Sequence, residues 1–233
     1  MDTSEFNLCK ADVIERDSRV TVIAARDEEK FRAHLRNTGR LNDLIYPGAT
    51  LLCVRKKTGK TDARVIGAVD GEYYVLLDTY VQEKYFASTF RAGRLSWLIP
   101  DSGSVNSQVS REGKRLDFGF EAEGKQGFME MKSAVTCDDG WASYPDAPSE
   151  RGLEHVELME KLSRDGVPAY IVFIVTHPEC DGFRPNYGIQ PEIGEALRRA
   201  RKAGVGLFAV KMVLNEDGDV SVTNEDLPVR LAP

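Results

Sequence analysis

Residues 115–134 read RLDFGFEAEGKQGFMEMKSA, and the fold turns on this stretch. Apolar and polar side chains alternate over 115–121 and again over 128–134, which is the period of a half-buried strand. The intervening run from Glu123 to Gly127 has turn chemistry. The two runs are predicted to pair as a hairpin. Side chains two apart on a strand share a face, so Glu130 and Lys132 point one way and Met131 the other. In the hairpin Asp117 can stand across from Glu130. Neighbouring carboxylates repel unless a positive group separates them. Mg2+ or Mn2+, hard ions that take oxygen ligands, would fill that role. A lysine on the same face can orient a water or stabilise charge on a phosphate. Asp117, Glu130 and Lys132 are the candidate catalytic residues, with Asp117 and Glu130 as candidate metal ligands. Together they supply what metal-assisted phosphodiester hydrolysis needs. The same residues would also serve as plain surface charge on a solvated hairpin, so the rest of the chain has to decide.

Downstream, Ser149 reads as a helix N-cap with Glu150 in the first turn, and Leu153, Val156, Leu158, Met159 and Leu162 form an apolar face. Gly166 and Pro168 end that helix. The continuous apolar run YIVFIVT, 170–176, predicts a strand covered on both faces. A helix over 191–203 follows, then a strand over 207–214 and a short one near 220–222. Upstream, residues 79–93 place Val81, Tyr85, Phe86 and Phe90 at helical spacing. Glu83 on this helix is a third candidate metal ligand, with Gln82 competing for the role. The order of strands and helices predicts a mixed-sheet α/β domain over 71–233, α+β for the chain overall. Arg151 and His155 open the helix after the Glu130 strand, and a helix N-terminus with an arginine suits a phosphate. His177 is predicted to be a loop residue.

The N-terminal part, 1–70, is different. Residues 8–26 alternate as strands with a turn near Arg16-Asp17, Leu51 to Val54 is a short apolar run, and Asp70-Gly71 signals a hairpin between 65–69 and 73–77. Several short strands and little helix predict a small β barrel; an OB-like barrel, a fold that often binds nucleic acid, fits that count, as other small β barrels do. The chain carries a net charge of −6, yet residues 30–66 hold nine basic and two acidic side chains, a net of +7 that leaves −13 for the rest. Such a local excess can act as a phosphate footprint. Arg36, Asn37, Arg40, Lys56 and Lys57, with Arg151, are the candidate nucleic-acid contacts.

The four cysteines, Cys9, Cys53, Cys137 and Cys180, contain no C-x-x-C pair, so neither a structural zinc site nor a disulfide framework is expected. They read as reduced, mostly buried thiols. No apolar run is long enough to cross a membrane as a helix, and the acidic N-terminus is unlike a signal peptide, so a cytoplasmic protein is expected.

Asp117 followed by Glu130-x-Lys132 resembles the PD-(D/E)XK nuclease pattern. The whole chain resembles the sugar fermentation stimulation protein family. Four stretches carry this: His34 to Arg40 with Leu44 and Pro47-Gly48; Arg115 to Phe118; Glu130 to Ser133; and Tyr144 to Gly152 with His155. Two departures stand out, Tyr144 where the family has Phe and Asp78 where it commonly has Asn. The resemblance implies an OB-like domain, a nuclease-fold domain, and a nucleic-acid partner, DNA ahead of RNA. The leading expectation is a metal-dependent nuclease. The alternatives are a non-catalytic DNA-binding regulator of sugar metabolism and a small-molecule sensor. The sequence leaves oligomeric state open, a homodimer included.

Overall fold

The structure is a computed structural model that describes residues 8–95, 98, 105–122 and 124–232, without the side chains of Lys57, Thr58 and Ala122. Five strands, β1 (Leu8–Ser18), β2 (Thr21–Arg26), β3 (Glu29–Leu35), β4 (Thr50–Thr58) and β5 (Thr61–Asp70), form a sheet closed by a parallel pairing of β3 with β5. This is the OB barrel. A sixth strand, β6 (Tyr73–Leu76), extends the sheet from β5. The turn expected at Arg16-Asp17 falls instead after Ser18. Bulges between Val13 and Glu15 and between Arg16 and Ser18 let β1 continue past the point where its alternation breaks. Val22, Ala24, Leu35, Leu51, Cys53 and Val65 fill the barrel interior and are almost fully buried.

Helix α1 (Thr79–Arg91) follows directly. Asp78 caps it, its Oδ1 accepting from the backbone N–H groups of Tyr80 and Val81. An aspartate therefore performs the capping that asparagine also can. Beyond it come β7 (Val105–Arg111), β8 (Lys114–Ala122), β9 (Lys125–Ala134), β10 (Thr136–Asp138), β11 (Trp141–Tyr144), α2 (Glu150–Arg164), β12 (Ala169–Val175), β13 (Gly182–Pro185), α3 (Pro191–Lys202), β14 (Gly206–Leu214) and β15 (Val220–Leu227). The large sheet runs β15-β14-β12-β9-β8-β7, parallel through β14, β12 and β9 and antiparallel at both edges. It is the mixed sheet the element order predicts.

The apolar run of β12 shows why the sheet needs cover on both sides. Ile171, Phe173 and Val175 pack on one face with Val156, Met159, Ala196 and Leu197 of α2 and α3. Val172 and Ile174 pack on the other with Val81 and Phe86 of α1 and with Leu52, Ile66 and Leu76 of the barrel's outer wall. The barrel is thus one of the layers covering the sheet. Each such fully buried side chain contributes roughly 1.5–3 kcal/mol of burial free energy. Among the described residues, no helix is long and apolar enough to cross a membrane.

Two expectations are corrected by this packing. Cys137 and Cys180 form a disulfide, while Cys9 and Cys53 are free and buried. The two bonded cysteines are 43 residues apart and meet because β11 pairs in parallel with β13, which brings the loop after β12 beside β10. The basic segment is also less basic in space than in sequence. Arg32 pairs with Asp17, Arg55 with Glu29, and Arg64 with Asp78, so acids from outside the segment offset three of its cations.

Candidate active site

The hairpin of β8 and β9 pairs Phe118 with Met129 and Gly119 with Phe128. One step further, that register brings Asp117 opposite Glu130. There the ladder gives way to a side chain, with Asp117 Oδ2 accepting from the Met131 N–H at 2.8 Å. Asp117, Glu130 and Lys132 line one cavity of about 300 Å³, together with Gln82 and Glu83 of α1 and Arg151 and Gly152 of α2. The elements packed around the hairpin wall this cavity, burying Glu130 and Lys132 and leaving Asp117 partly open, so the three residues do not lie on a flat solvated face.

Glu130 is the most constrained member. It is 4% exposed. Its Oε1 accepts from Lys132 Nζ at 2.7 Å and makes a short contact with His155 Nδ1. Its Oε2 is buried with no hydrogen-bond partner among the described residues. A buried carboxylate oxygen left bare is costly, on the order of 1–3 kcal/mol, and a cation is what such an atom accepts. Burial alone would push Glu130 up, but Lys132 and His155 outweigh it and hold its carboxyl below the ordinary range. Burial likewise opposes the charge on Lys132, and Glu130 overcomes that and raises its pKa. Asp117 has no such counter-charge in contact. Burial first, and then the negative charge of Glu130, push its carboxyl up to about 7. The pair thus divides into one carboxylate held ionised and one poised near neutrality, as neighbouring carboxyls do when their environments differ.

Glu83 lines the same cavity, and its Oε1 accepts from Gln108 Nε2 at 2.7 Å. Gln82 is turned to the backbone, donating to the Leu76 carbonyl. Among the candidate nucleic-acid contacts, Arg151 is exposed in the first turn of α2 and lines the cavity rim. Arg36 lies over the ring of Tyr80 and lines a larger groove of about 990 Å³. The groove shares Thr38, Thr79, Lys132, Ser133 and Arg151 with the cavity and runs on to Arg19 and His34 of the barrel. Arg40 faces a separate cleft beside Arg16. Asn37 lines the same groove as Arg36, and its amide also ties the loop down, donating one N–H to the Leu77 carbonyl and accepting from the Gly39 N–H. Lys56 is exposed on β4 and lines neither the cavity nor the groove, and the Lys57 side chain lies outside the described residues.

Two residues escape a reading by pattern. His155 reads from sequence as a phosphate-facing helix residue, whereas here it is buried and holds Glu130. Gln108, which holds Glu83, lies on an edge strand with no apolar alternation to announce it.

The stretch 144–152 has a structural logic. Ser149 caps α2, accepting from the Gly152 N–H at 2.9 Å. A Cβ on Gly152 would stand 2.3 Å from the Tyr144 hydroxyl, so only glycine lets the helix start against that ring. Tyr144 in turn lies beside the Lys132 ammonium. Asp146 reaches the barrel, where its Oδ2 accepts from the Leu41 N–H at 3.1 Å and leaves no room for a Cβ on Gly39.

Comparison with known proteins agrees with this architecture. Residues 14–77 match the model of the SfsA N-terminal OB domain, and residues 80–218 match that of the sugar fermentation stimulation protein RE domain. Sugar fermentation stimulation protein homologs from Pyrococcus furiosus and Chloroflexus aurantiacus are each 34% identical over 91% of this chain, covering 92% and 82% of their own lengths. A solved structure, that of Pyrococcus furiosus SfsA in complex with Ca2+, superposes with a TM-score of 0.90 at 33% identity over 96% of both chains. The chain therefore belongs to the sugar fermentation stimulation protein family.

Proposed function

We propose that this protein is a divalent-metal-dependent hydrolase of phosphodiester bonds in nucleic acid, with DNA ahead of RNA as substrate. The observation that carries the reading is the bare, buried Oε2 of Glu130 in a cavity shared with Asp117 and Lys132. Asp117, Glu130 and Glu83 offer an all-oxygen donor set, which suits Mg2+ or Mn2+. The relative described in complex with Ca2+ takes a hard cation of the same kind. When bound, the ion would supply charge neutralisation at the phosphate and a more acidic water.

The chain's own residues account for the rest. His155 and Lys132 fix the Glu130 carboxylate from one side, so its other oxygen faces the cavity in one orientation. Asp117 is aimed by the Met131 N–H. Lys132, buried and cationic, stabilises negative charge developing on a phosphate oxygen and orients the attacking water. Arg151, near the N-terminus of α2, stands where a neighbouring phosphate of the strand would lie. Arg36 and Arg19 continue the basic lining toward the barrel, so the groove offers a path for the polynucleotide away from the scissile bond.

The test is cleavage of DNA and RNA oligonucleotides with and without Mg2+ or Mn2+, comparing the wild type with Lys132→Ala. Metal-dependent cleavage lost in the variant is the expected result. Equal cleavage by both proteins ends the catalytic reading. Salt-dependent binding with no turnover by either would leave a DNA-binding regulator in its place.

A further inference from the structure

A second cluster of metal-ligating side chains lies apart from the carboxylate cavity. Cys137 on β10 and His177 and Cys180 in the loop after β12 bring one donor atom each to within 4.8 Å of one another. Cys180 is fully buried, His177 is 3% exposed, and Cys137 is partly open. Cys137 and Cys180 are joined as a disulfide, which uses both sulfurs and leaves His177 beside them. The imidazole is held from outside the cluster. Its Nε2 lies 3.2 Å from Asp70 Oδ2, its Nδ1 accepts from the Glu179 N–H, and its ring meets Tyr73 edge-on at 5.4 Å. Asp70 ends β5 and Tyr73 begins β6, so the cluster lies on the seam where the barrel meets the second domain. The Asp70 carboxylate on Nε2 fixes the tautomer and ring orientation and makes Nδ1 the ligand nitrogen, whose 3.3 Å contact from the Glu179 N–H a bound ion would replace.

We propose that Cys137, Cys180 and His177 form a redox-gated zinc site, in which two thiolates and one imidazole hold a single Zn2+ when reduced and release it when the sulfurs join. Two sulfurs and one nitrogen are a donor set that suits Zn2+, with water in the fourth position. Reduction by a phosphine breaks the S–S bond. The disulfide takes two electrons, a water oxygen goes to the phosphine oxide, and the two water protons go to the sulfurs. Zn2+ then displaces those protons. In the reverse direction hydrogen peroxide accepts two electrons from the two thiolates and two protons from solvent and becomes two waters, while the S–S bond forms and Zn2+ leaves.

The experiment uses the full chain, reduced without oxygen by a phosphine and titrated with Co2+ as a spectroscopic probe. A thiolate-to-cobalt charge-transfer band saturating at one equivalent is expected, displaced by Zn2+ and absent from the disulfide form. The carboxylates around Asp117 cannot produce this band, so the two metal sites are told apart. Zn2+ should shield Cys137 and Cys180 from alkylation, and peroxide should release it as the disulfide returns. Asp70→Asn should weaken the site about tenfold and His177→Gln more than that. His177→Gln keeps both sulfurs and the disulfide, so it decides the matter even where Cys180→Ser fails to fold. A reduced wild type without the band, or a His177→Gln chain that binds as tightly as the wild type, overturns the proposal.

Discussion

Replacing Asp117 by Asn removes the one carboxyl of the cavity that burial, and then Glu130, push up to about 7. An ordinary aspartate titrates at about 3.9, and the difference corresponds to about 4 kcal/mol. The sign follows from proton binding. With a folded-state pKa above the unfolded one, the native chain holds the proton over a range where the unfolded chain has lost it. The stabilising contribution is full below about pH 4 and is lost as pH rises to about 7, so ionised Asp117 costs the wild type up to ~4 kcal/mol. Asp117 as a residue keeps partial access to water, so about 2 kcal/mol is the better expectation. Asparagine retains an oxygen for the Met131 N–H and never ionises. The assay is urea unfolding in chelator, wild type against variant, between about pH 4.5 and pH 8, read as free energies at equal slope. The advantage of the variant should be under about 1 kcal/mol at the acid end and grow to about 2 kcal/mol at the alkaline end. Adding Mg2+ should then stabilise the wild type and not the variant. An advantage that fails to grow with pH refutes the assignment of the raised group to Asp117.

Other outcomes follow from single contacts. His155→Ala removes the imidazole beside Glu130 Oε1 and should weaken divalent-metal binding by roughly 10–100-fold in calorimetric titration. Arg151→Ala should weaken oligonucleotide binding similarly for all sequences and reduce the salt slope by about one unit. Asp78→Ala strips the cap from α1 and leaves Arg64 without its buried partner at 3.1 Å, a loss of about 2–4 kcal/mol in denaturant unfolding. Asp78→Asn keeps the cap but not the charge that Arg64 meets, so in the same measurement it should recover only the capping share, about 1 kcal/mol, of that loss.

Much of this molecule is legible along the chain. Alternation over 115–121 and 128–134 locates β8 and β9, and the short turn between them sets a register in which Asp117 lies opposite Glu130. Helical spacing of Val81, Phe86 and Phe90, and of Ile193, Ala196, Leu197 and Ala200, marks the apolar faces of α1 and α3. Strands such as β7 and β13 leave a weaker trace, because an edge strand of polar residues or a four-residue strand carries no sustained period. The charge of residues 30–66 misleads for a related reason, since composition records the cations of a segment and not the acids its partner strands bring to them.

Along the chain the longer periodic elements are already fixed, together with the hairpin that sets Asp117 opposite Glu130 and Lys132 on the face of Glu130. Those follow from interactions between residues a few positions apart, which a period or a turn signal records. Only the tertiary structure decided that His155 holds Glu130, that Asp146 reaches Gly39, and that Cys137 meets Cys180 beside His177. Each of those contacts joins elements far apart in the chain, and it exists because the covered sheet brings them together.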